Sequence, residues 1–148
     1  MISSIFYPGN QRMIMPEDIQ HTSERVQPKV YRYVLSGNWI VMAGKTDVDN
    51  DMLSLSAKPN DWWFHVRGMP GSHVLLLEKP DEEPEKDILR QAASIAAYHS
   101  KARDGGVVPV SATRARYVTK PRGAKPGTVS IRKEIILKVR PLIPDQPS

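Results

Sequence analysis

Residues that could bind ligands or transfer protons surround one short connection in the segment DWWFHVRGMPGSHVLLL (61–77). Two strand-like runs, WWFHV and HVLLL, flank the connection RGMPGS, and each run brings a histidine to it, His65 and His73. Arg67 opens the connection. Imidazole can exchange protons near neutral pH, and guanidinium binds carboxylates and phosphates. Packing explains the tryptophans, whereas the histidines and the arginine indicate a binding or acid–base site.

Alternation along the first run predicts one buried and one presented face. The predicted core set is Trp62, Phe64 and Val66, and the predicted presented set is Trp63, His65 and Arg67. The presented face would offer an aromatic ring, an imidazole and a guanidinium together.

The order of strand-like and helix-like segments along the chain predicts an α+β fold with a mainly antiparallel mixed sheet. The segments VYRYVLS and WIVMA, joined at Gly37-Asn38, predict a hairpin. DVDNDMLSLSA (47–57) predicts a short helix. The segment from Asp81 to Gly106 opens with acidic residues and closes with Lys101 and Arg103 before two glycines, which predicts a long helix. Pro70-Gly71 predicts a type II turn. The remaining segments VVPVSATRARYVTKP, TVSIR and IILKVRP complete the order ββα-ββα-βββ.

The charge is uneven along the 148 residues, whose net charge is +5. Residues 1–89 hold 9 Lys or Arg and 13 Asp or Glu, whereas residues 90–140 hold 12 and 2. A basic half of this kind favours polyanions such as nucleic acid, although an ordinary solvated face would give the same count. The absence of cysteine excludes disulfides and thiolate chemistry, and no apolar run is long enough to span a membrane. We see no signal peptide in the first 20 residues, so we expect a cytoplasmic protein that does not bind membranes.

Three motifs do not fit their pattern. Gly44-Lys45-Thr46 resembles a phosphate loop, but the glycine that should precede it by five positions is Trp39. DVDND (47–51) has the spacing of a calcium loop without its glycine or glutamate. His65 and His73 have no evident third metal ligand nearby. We therefore predict neither metal nor cofactor.

RNA is bound by cations on phosphates and by aromatic, imidazole or guanidinium faces on unpaired bases. The chain offers such groups on the first run, at the end of the long helix, and in TRARYVTKPRGAKPG, where Arg114 and Arg116 are predicted to share a strand face. We expect the three elements to converge on one groove. The predicted RNA-binding residues are Trp63, His65, Arg67, Ser72, His73, Lys101, Arg103, Arg114, Arg116, Lys120, Arg122 and Lys125.

The segments DWWFHVRGMPGSHVLL, AASIAAYHSKAR, VPVSATRARYVTKPRGAKPGTV and ILKVRP together resemble the NFACT-R domain, the RNA-binding module of the NFACT proteins. The similarity runs from about Val30 to Pro141, with Thr46 in place of an expected asparagine. It implies an α+β domain that binds tRNA or ribosomal RNA, including the large ribosomal subunit, in translation and ribosome-associated quality control. We therefore expect an NFACT-R-like RNA-binding domain at 29–141, followed by a tail at 142–148. Residues 1–28 show no sustained hydrophobic period and contain Pro8, Pro16 and Pro28, which predicts an N-terminal arm. Because 148 residues leave no room for the family's other domains, we expect a free-standing form that lacks their tailing activity.

Two alternatives remain open. An RNA-modifying enzyme, or its accessory subunit, could use His65, Arg67 and His73 for acid–base chemistry. A protein-interaction domain could dock its basic half on an acidic partner.

Overall fold

A computed structural model of the chain describes residues 27–145. The predicted arm therefore falls outside the described residues from 1 to 26, and the predicted tail does so from 146 to 148. Of the helices within 27–145, neither has the length and apolar character that crossing a membrane requires.

The described chain is an α+β domain, as predicted, in the order ββα-ββα-ββββ. Its strands are β1 (Val30–Leu35), β2 (Trp39–Gly44), β3 (Trp62–Val66), β4 (Val74–Leu76), β5 (Val108–Arg114), β6 (Val118–Thr119), β7 (Ser130–Ile131) and β8 (Ile135–Val139). Its helices are α1 (Asp47–Ser56) and α2 (Lys86–Tyr98). One strand more than predicted arises because a 3-10 turn, Ala115–Tyr117, separates β5 from β6.

Six strands form the main sheet in the order β1-β2-β4-β3-β5-β8, and β6 pairs with β7 in a separate ribbon. All these pairings are antiparallel. The hairpin between β1 and β2 is confirmed, with Gly37 and Asn38 at positive φ values of 82° and 64°. Such values are rare for residues other than glycine and asparagine, so the sequence of the turn dictates its shape.

Each face of the main sheet carries its own core. One face packs against α2 and includes Phe64, Val74 and Ala112, all fully buried. The small residues of α2 allow this close approach, and Ile88, Ala92, Ile95 and Ala96 are buried. The other face packs against α1 and the β6–β7 region around Leu53, Trp63 and Leu75.

The long helix is shorter than predicted at both ends. It begins at Lys86 because the acidic segment before it forms turns, with Asp81 at φ 61° and a bridge between Lys79 and Glu82. It ends at Tyr98 because Ser100 pairs with Gly71, which draws the chain out of the helix. Lys101 and Arg103 therefore lie in the turn beyond the helix rather than on it.

The predicted type II turn at Pro70-Gly71 is wrong. That turn needs a positive φ at its third residue, Gly71, whereas the positive φ in this connection belongs to Gly68, at 76°. Gly71 is instead part of the bridge to Ser100.

Candidate nucleic-acid interface

The connection between β3 and β4 joins two other parts of the chain. Ser72 donates its backbone N–H to the carbonyl of His99 at 2.8 Å, and Lys101 donates to the carbonyl of Pro70 at 3.2 Å. On the other side, the Ser72 hydroxyl donates to the carbonyl of Gly44 at 2.6 Å. The ends of α2 and β2 are therefore fixed against the same short segment.

A cleft with a volume of about 340 Å³ lies where these segments meet. It is lined by Tyr31, Lys45, Thr46, Asp47, Asn50, Pro70, Gly71, Ser72, His99, Ser100, Lys101 and Arg103. Within residues 27–145, no ion pair joins Lys45, Lys101 or Arg103 to a carboxylate. Three cations against the single carboxylate of Asp47 make the cleft suitable for an anionic ligand.

The cleft contains three of the predicted site residues, Ser72, Lys101 and Arg103. Sequence reasoning missed Tyr31 and His99 as site residues, although Tyr31 shares a strand face with the buried Tyr33 and His99 follows the helix directly. Their proximity depends on where the end of α2 meets the edge strand β1, a tertiary relationship that no local pattern encodes.

The segment Gly44-Lys45-Thr46 has a structural role at one edge of the cleft. The Thr46 hydroxyl caps α1 by accepting the backbone N–H of Asp49 at 3.2 Å, and the Asp49 carboxylate accepts the N–H of Thr46 at 3.1 Å. This reciprocal capping satisfies backbone donors that a phosphate loop would leave for its ligand. Rejection of the phosphate-loop interpretation agrees with this geometry.

The strand face expected to present Trp63, His65 and Arg67 is not open. Alternation does place these three opposite the core set, but α1 and the β6–β7 region cover that face, and Trp63 is only 2% exposed. His65 is half-buried, and Arg67 is exposed beyond the end of β3. The prediction that Trp63 is presented for stacking is therefore wrong, because the second sheet face also carries a core.

His73 is likewise buried, at 2% exposure, and both of its ring nitrogens are occupied. Its Nε2 lies 3.0 Å from the Gly127 carbonyl, which can only accept, so Nε2 carries the proton. Nδ1 then accepts the Ser54 hydroxyl at 2.7 Å, and that oxygen accepts the Trp63 indole N–H at 2.9 Å. Trp63, Ser54, His73 and Gly127 thus form one hydrogen-bond chain. The expectation that His73 contacts RNA is not consistent with this burial.

Burial favours the neutral form of the three histidines within residues 27–145. Burial lowers the pKa of His65 from 6.5 to about 4, with nearby His73 as the second cause. Burial also lowers the pKa of His73, and it lowers the pKa of His99 to about 4 with help from Arg103. Exchange of protons near neutral pH, on which the enzyme alternative depends, is therefore disfavoured at His65 and His73.

Arg114 and Arg116 do not share a strand face. Arg114 is the last residue of β5, opposite Trp62, whereas Arg116 lies in the 3-10 turn. The Arg114 guanidinium donates to the Asn60 carbonyl at 2.8 Å and forms an ion pair with Glu83. Arg114 is therefore level with the start of β3, whereas Arg67 and the cleft lie beyond the end of that strand. At about 3.3 Å per residue, the length of β3 separates Arg114 from the cleft.

The loop from Lys120 to Gly127 is fastened to α1. Lys120 reaches the Asp51 carboxylate at 3.1 Å and the Thr128 carbonyl at 2.9 Å, and it also donates to the Lys125 carbonyl. Gly127 donates its N–H to Asp51 at 2.9 Å. Lys120 is thus engaged in holding the loop, while the side chains of Arg122 and Lys125 are exposed. The expected convergence is therefore partial: the helix end and the β3–β4 connection share the cleft, the loop attaches beside it, and Arg114 lies apart.

No group of three His, Asp or Glu side chains within residues 27–145 is arranged to hold a metal ion.

Curated relatives match most of this chain. A protein named Rqc2 homolog RqcH from Streptococcus suis is 38% identical over 119 residues, which are 80% of this chain and 21% of that protein. A protein of the same name from Bacillus subtilis is 37% identical over 115 residues, 77% of this chain and 20% of that protein. The chain thus spans about a fifth of the length of these curated relatives.

The fold and the family agree. The structure of the C-terminal of the fibronectin/fibrinogen-binding protein from Streptococcus suis matches with a TM-score of 0.71 and 37% identity, covering 80% of this chain and 47% of that one. The family described as the NFACT protein RNA binding domain matches residues 29–133. This chain therefore belongs to the family of NFACT protein RNA binding domains.

Proposed function

We propose that this chain is a non-catalytic RNA-binding domain that acts on tRNA or the large ribosomal subunit in ribosome-associated quality control. The observation that carries the proposal is the cleft at the β3–β4 connection, where Lys45, Lys101 and Arg103 meet without a carboxylate partner among residues 27–145. Membership of an RNA-binding family supports RNA as the anion. The role in quality control rests on the resemblance to NFACT proteins.

The proposed contacts follow from exposure and existing partners. Lys101, Arg103, Arg67, Arg122 and Lys125 are exposed, and Ser72 lines the cleft, so we retain these as RNA-binding residues. Lys45 joins them. Arg116 is exposed in the 3-10 turn and can serve only a ligand that extends beyond the cleft.

The enzyme alternative has less support. His73 uses both ring nitrogens internally, and the lowered pKa of His65 leaves its imidazole neutral at pH 7. Since the chain spans about a fifth of its curated relatives, the proposal includes RNA binding and no catalytic step.

Binding of labelled tRNA at several salt concentrations tests the proposal by fluorescence anisotropy. Release of counterions predicts that affinity falls steeply as salt rises. Lys101→Ala and Lys45→Ala should weaken binding and reduce the slope of log affinity against log salt by about 1 each. Lys86→Ala is the matched control, since Lys86 is an exposed lysine at the opposite end of α2, about 20 Å away at 1.5 Å per residue.

Binding that is indifferent to salt, or equal loss in the control variant, would contradict the proposal. Crosslinking in cells followed by sequencing of the bound RNA then identifies tRNA or ribosomal RNA. A partner that survives ribonuclease treatment of the purified complex would instead favour docking on an acidic protein.

A further inference from the structure

An exposed aromatic pair stands at the edge of the cleft. Tyr31, on the edge strand β1, is 43% exposed, and its ring stacks on that of His99 with centroids 4.4 Å apart and planes at 14°. One face of the Tyr31 ring lies against His99, and the exposed side chain of Lys45 lies over the ring. A base that displaces this flexible lysine can stack on the tyrosine ring.

The His99 ring of the pair is held in place by its neighbours. His99 Nε2 and the Tyr33 hydroxyl are 2.7 Å apart, and the His99 backbone N–H donates to the Ile95 carbonyl at 3.0 Å. Tyr98 packs edge-on against the same imidazole, with centroids 5.2 Å apart and planes at 83°. His99 therefore keeps its orientation before any ligand arrives and provides a fixed support for the Tyr31 ring, which lowers the entropy cost of binding.

Cations surround the pair. The Lys45 ammonium lies 4.8 Å from the centre of the Tyr31 ring, and the Arg103 guanidinium lies 4.1 Å from the centre of the Tyr98 ring. Lys101 lines the same cleft. A flat ring beside several cations matches the two parts of a nucleotide, because bases stack on aromatic faces while phosphates need positive charge.

The size and form of the site restrict which RNA can use it. A cleft of about 340 Å³ lies at the lower end of the range of about 300–1,000 Å³ for small-ligand sites, so it suits one nucleotide. A-form helices bury the faces of their bases, and only unpaired loops, bulges and ends can turn a base outward.

We infer that the Tyr31–His99 pair is a stacking platform for one unpaired base, whose neighbouring phosphates contact Lys45, Lys101 and Arg103. The domain accordingly prefers RNA with unpaired nucleotides to a duplex of equal length. This inference rests on the proposed RNA binding and names the ligand class of the same cleft.

Anisotropy with a short polyadenosine strand and with an RNA duplex of equal length tests the preference. The unmodified protein should bind the unpaired strand more tightly, and Tyr31→Leu should lose about tenfold or more of that affinity through lost stacking. Tyr31→Phe, which keeps the ring, should bind as the unmodified protein does. Tyr117→Leu is the matched control, because Tyr117 also lies near two cations, Arg132 and Lys133, outside the cleft.

A second measurement needs no variant. A strand carrying the fluorescent base 2-aminopurine should lose emission on binding, because stacking quenches it. Equal affinity for strand and duplex, an unaltered affinity of Tyr31→Leu, or unchanged 2-aminopurine emission would each overturn the platform. If Lys101→Ala still weakens salt-dependent binding in such a result, the proposed function stands without the platform. If the unmodified protein binds neither of these RNAs nor labelled tRNA, the proposed function itself fails.

Discussion

The imidazole of His73 donates to the carbonyl of Gly127, 54 residues further along the chain, at 3.0 Å. This bond connects the central sheet to the end of the exposed basic loop. It also ends the hydrogen-bond chain that starts at the Trp63 indole and passes through Ser54. Two residues that sequence reasoning assigned to RNA contact, Trp63 and His73, therefore position the loop instead.

Replacement of Ser54 tests that hydrogen-bond chain. Ser54→Ala leaves the Trp63 indole N–H and the His73 Nδ1 without their shared partner in a buried site. We expect the free energy of unfolding, measured by urea denaturation, to fall by about 1–3 kcal/mol. Ser56→Ala is the control, since its exposed hydroxyl only donates to the Leu53 carbonyl on the same helix. Ser56→Ala should change the free energy of unfolding by no more than about 0.5 kcal/mol. An equally mild effect of Ser54→Ala would show that the Trp63–Ser54–His73 hydrogen bonds contribute little to stability.

Replacement of Gly71 tests the bridge that builds the cleft. A Cβ at Gly71 would lie 2.7 Å from the Cβ of Ser100 and 3.1 Å from a methyl of Val66. Gly71→Ala should therefore force the β3–β4 connection away from the end of α2, lowering the free energy of unfolding by about 1–3 kcal/mol and weakening RNA binding.

Gly106→Ala provides the comparison for Gly71→Ala, because the nearest atom to its added Cβ is 3.9 Å away on the Arg140 side chain. Its stability and affinity should remain those of the unmodified protein. Full affinity in Gly71→Ala would mean that the bridge does not shape the binding site.

Removal of the Lys120 ammonium should loosen the basic loop. Lys120→Ala removes the bonds to Asp51 and Thr128. Trypsin can report the loss, because of the three basic residues in the loop only Arg122 is not followed by proline. If the Lys120 contacts contribute about 1 kcal/mol to the free energy of opening the loop, their loss should make cleavage after Arg122 about fivefold faster, provided that trypsin cuts the transiently opened loop. Mass spectrometry of the fragments gives the rate.

Lys125→Ala is the matched change for Lys120→Ala, since it also removes one positive charge from the loop but leaves the carbonyl that Lys120 contacts. Its cleavage rate after Arg122 should stay within twofold of the unmodified rate, on the order of the scatter expected for a surface substitution. Similar cleavage rates for Lys120→Ala and Lys125→Ala would indicate that the charge of the loop, not the Lys120 contacts, governs the access of trypsin to Arg122.

Stability should fall as the pH is lowered from 6.5 toward about 4. The pKa values of His65 and His99 are lowered from 6.5 to about 4, and the pKa of His73 is lowered too. The unfolded chain therefore binds more protons than the folded one within this window, so the histidine contribution is complete above 6.5 and is lost as the pH falls. Melting temperatures measured across the window give the slope.

His65→Asn should make the dependence of the free energy of unfolding on pH shallower, by the equivalent of up to about one bound proton. The comparison is cleanest in the upper half of the window, because carboxyl groups ordinarily titrate near pH 4. A melting temperature that stays level from 6.5 to about 5 would contradict the lowered pKa values.

Local sequence signals were sufficient for much of the fold. Helix α1 begins after Thr46, a capping residue, and ends shortly before Pro59, so its bounds could be read from the chain. The first hairpin followed from Gly37-Asn38, whose positive φ few other residues adopt. The end of α2 could not be predicted in this way, because it depends on pairing between Gly71 and Ser100.

The α+β class, the alternation that buries Phe64 and the basic excess of residues 90–140 all follow from the amino-acid sequence, because periodicity, capping and charge are properties of neighbouring residues. The sequence also carries the family resemblance. Which sheet face is open depends on the packing of whole elements, because a strand pattern cannot reveal that α1 and the β6–β7 region cover Trp63 and His73. The same packing brought Tyr31 to His99 and left Arg114 with Glu83, since contacts between distant segments depend on how whole elements pack.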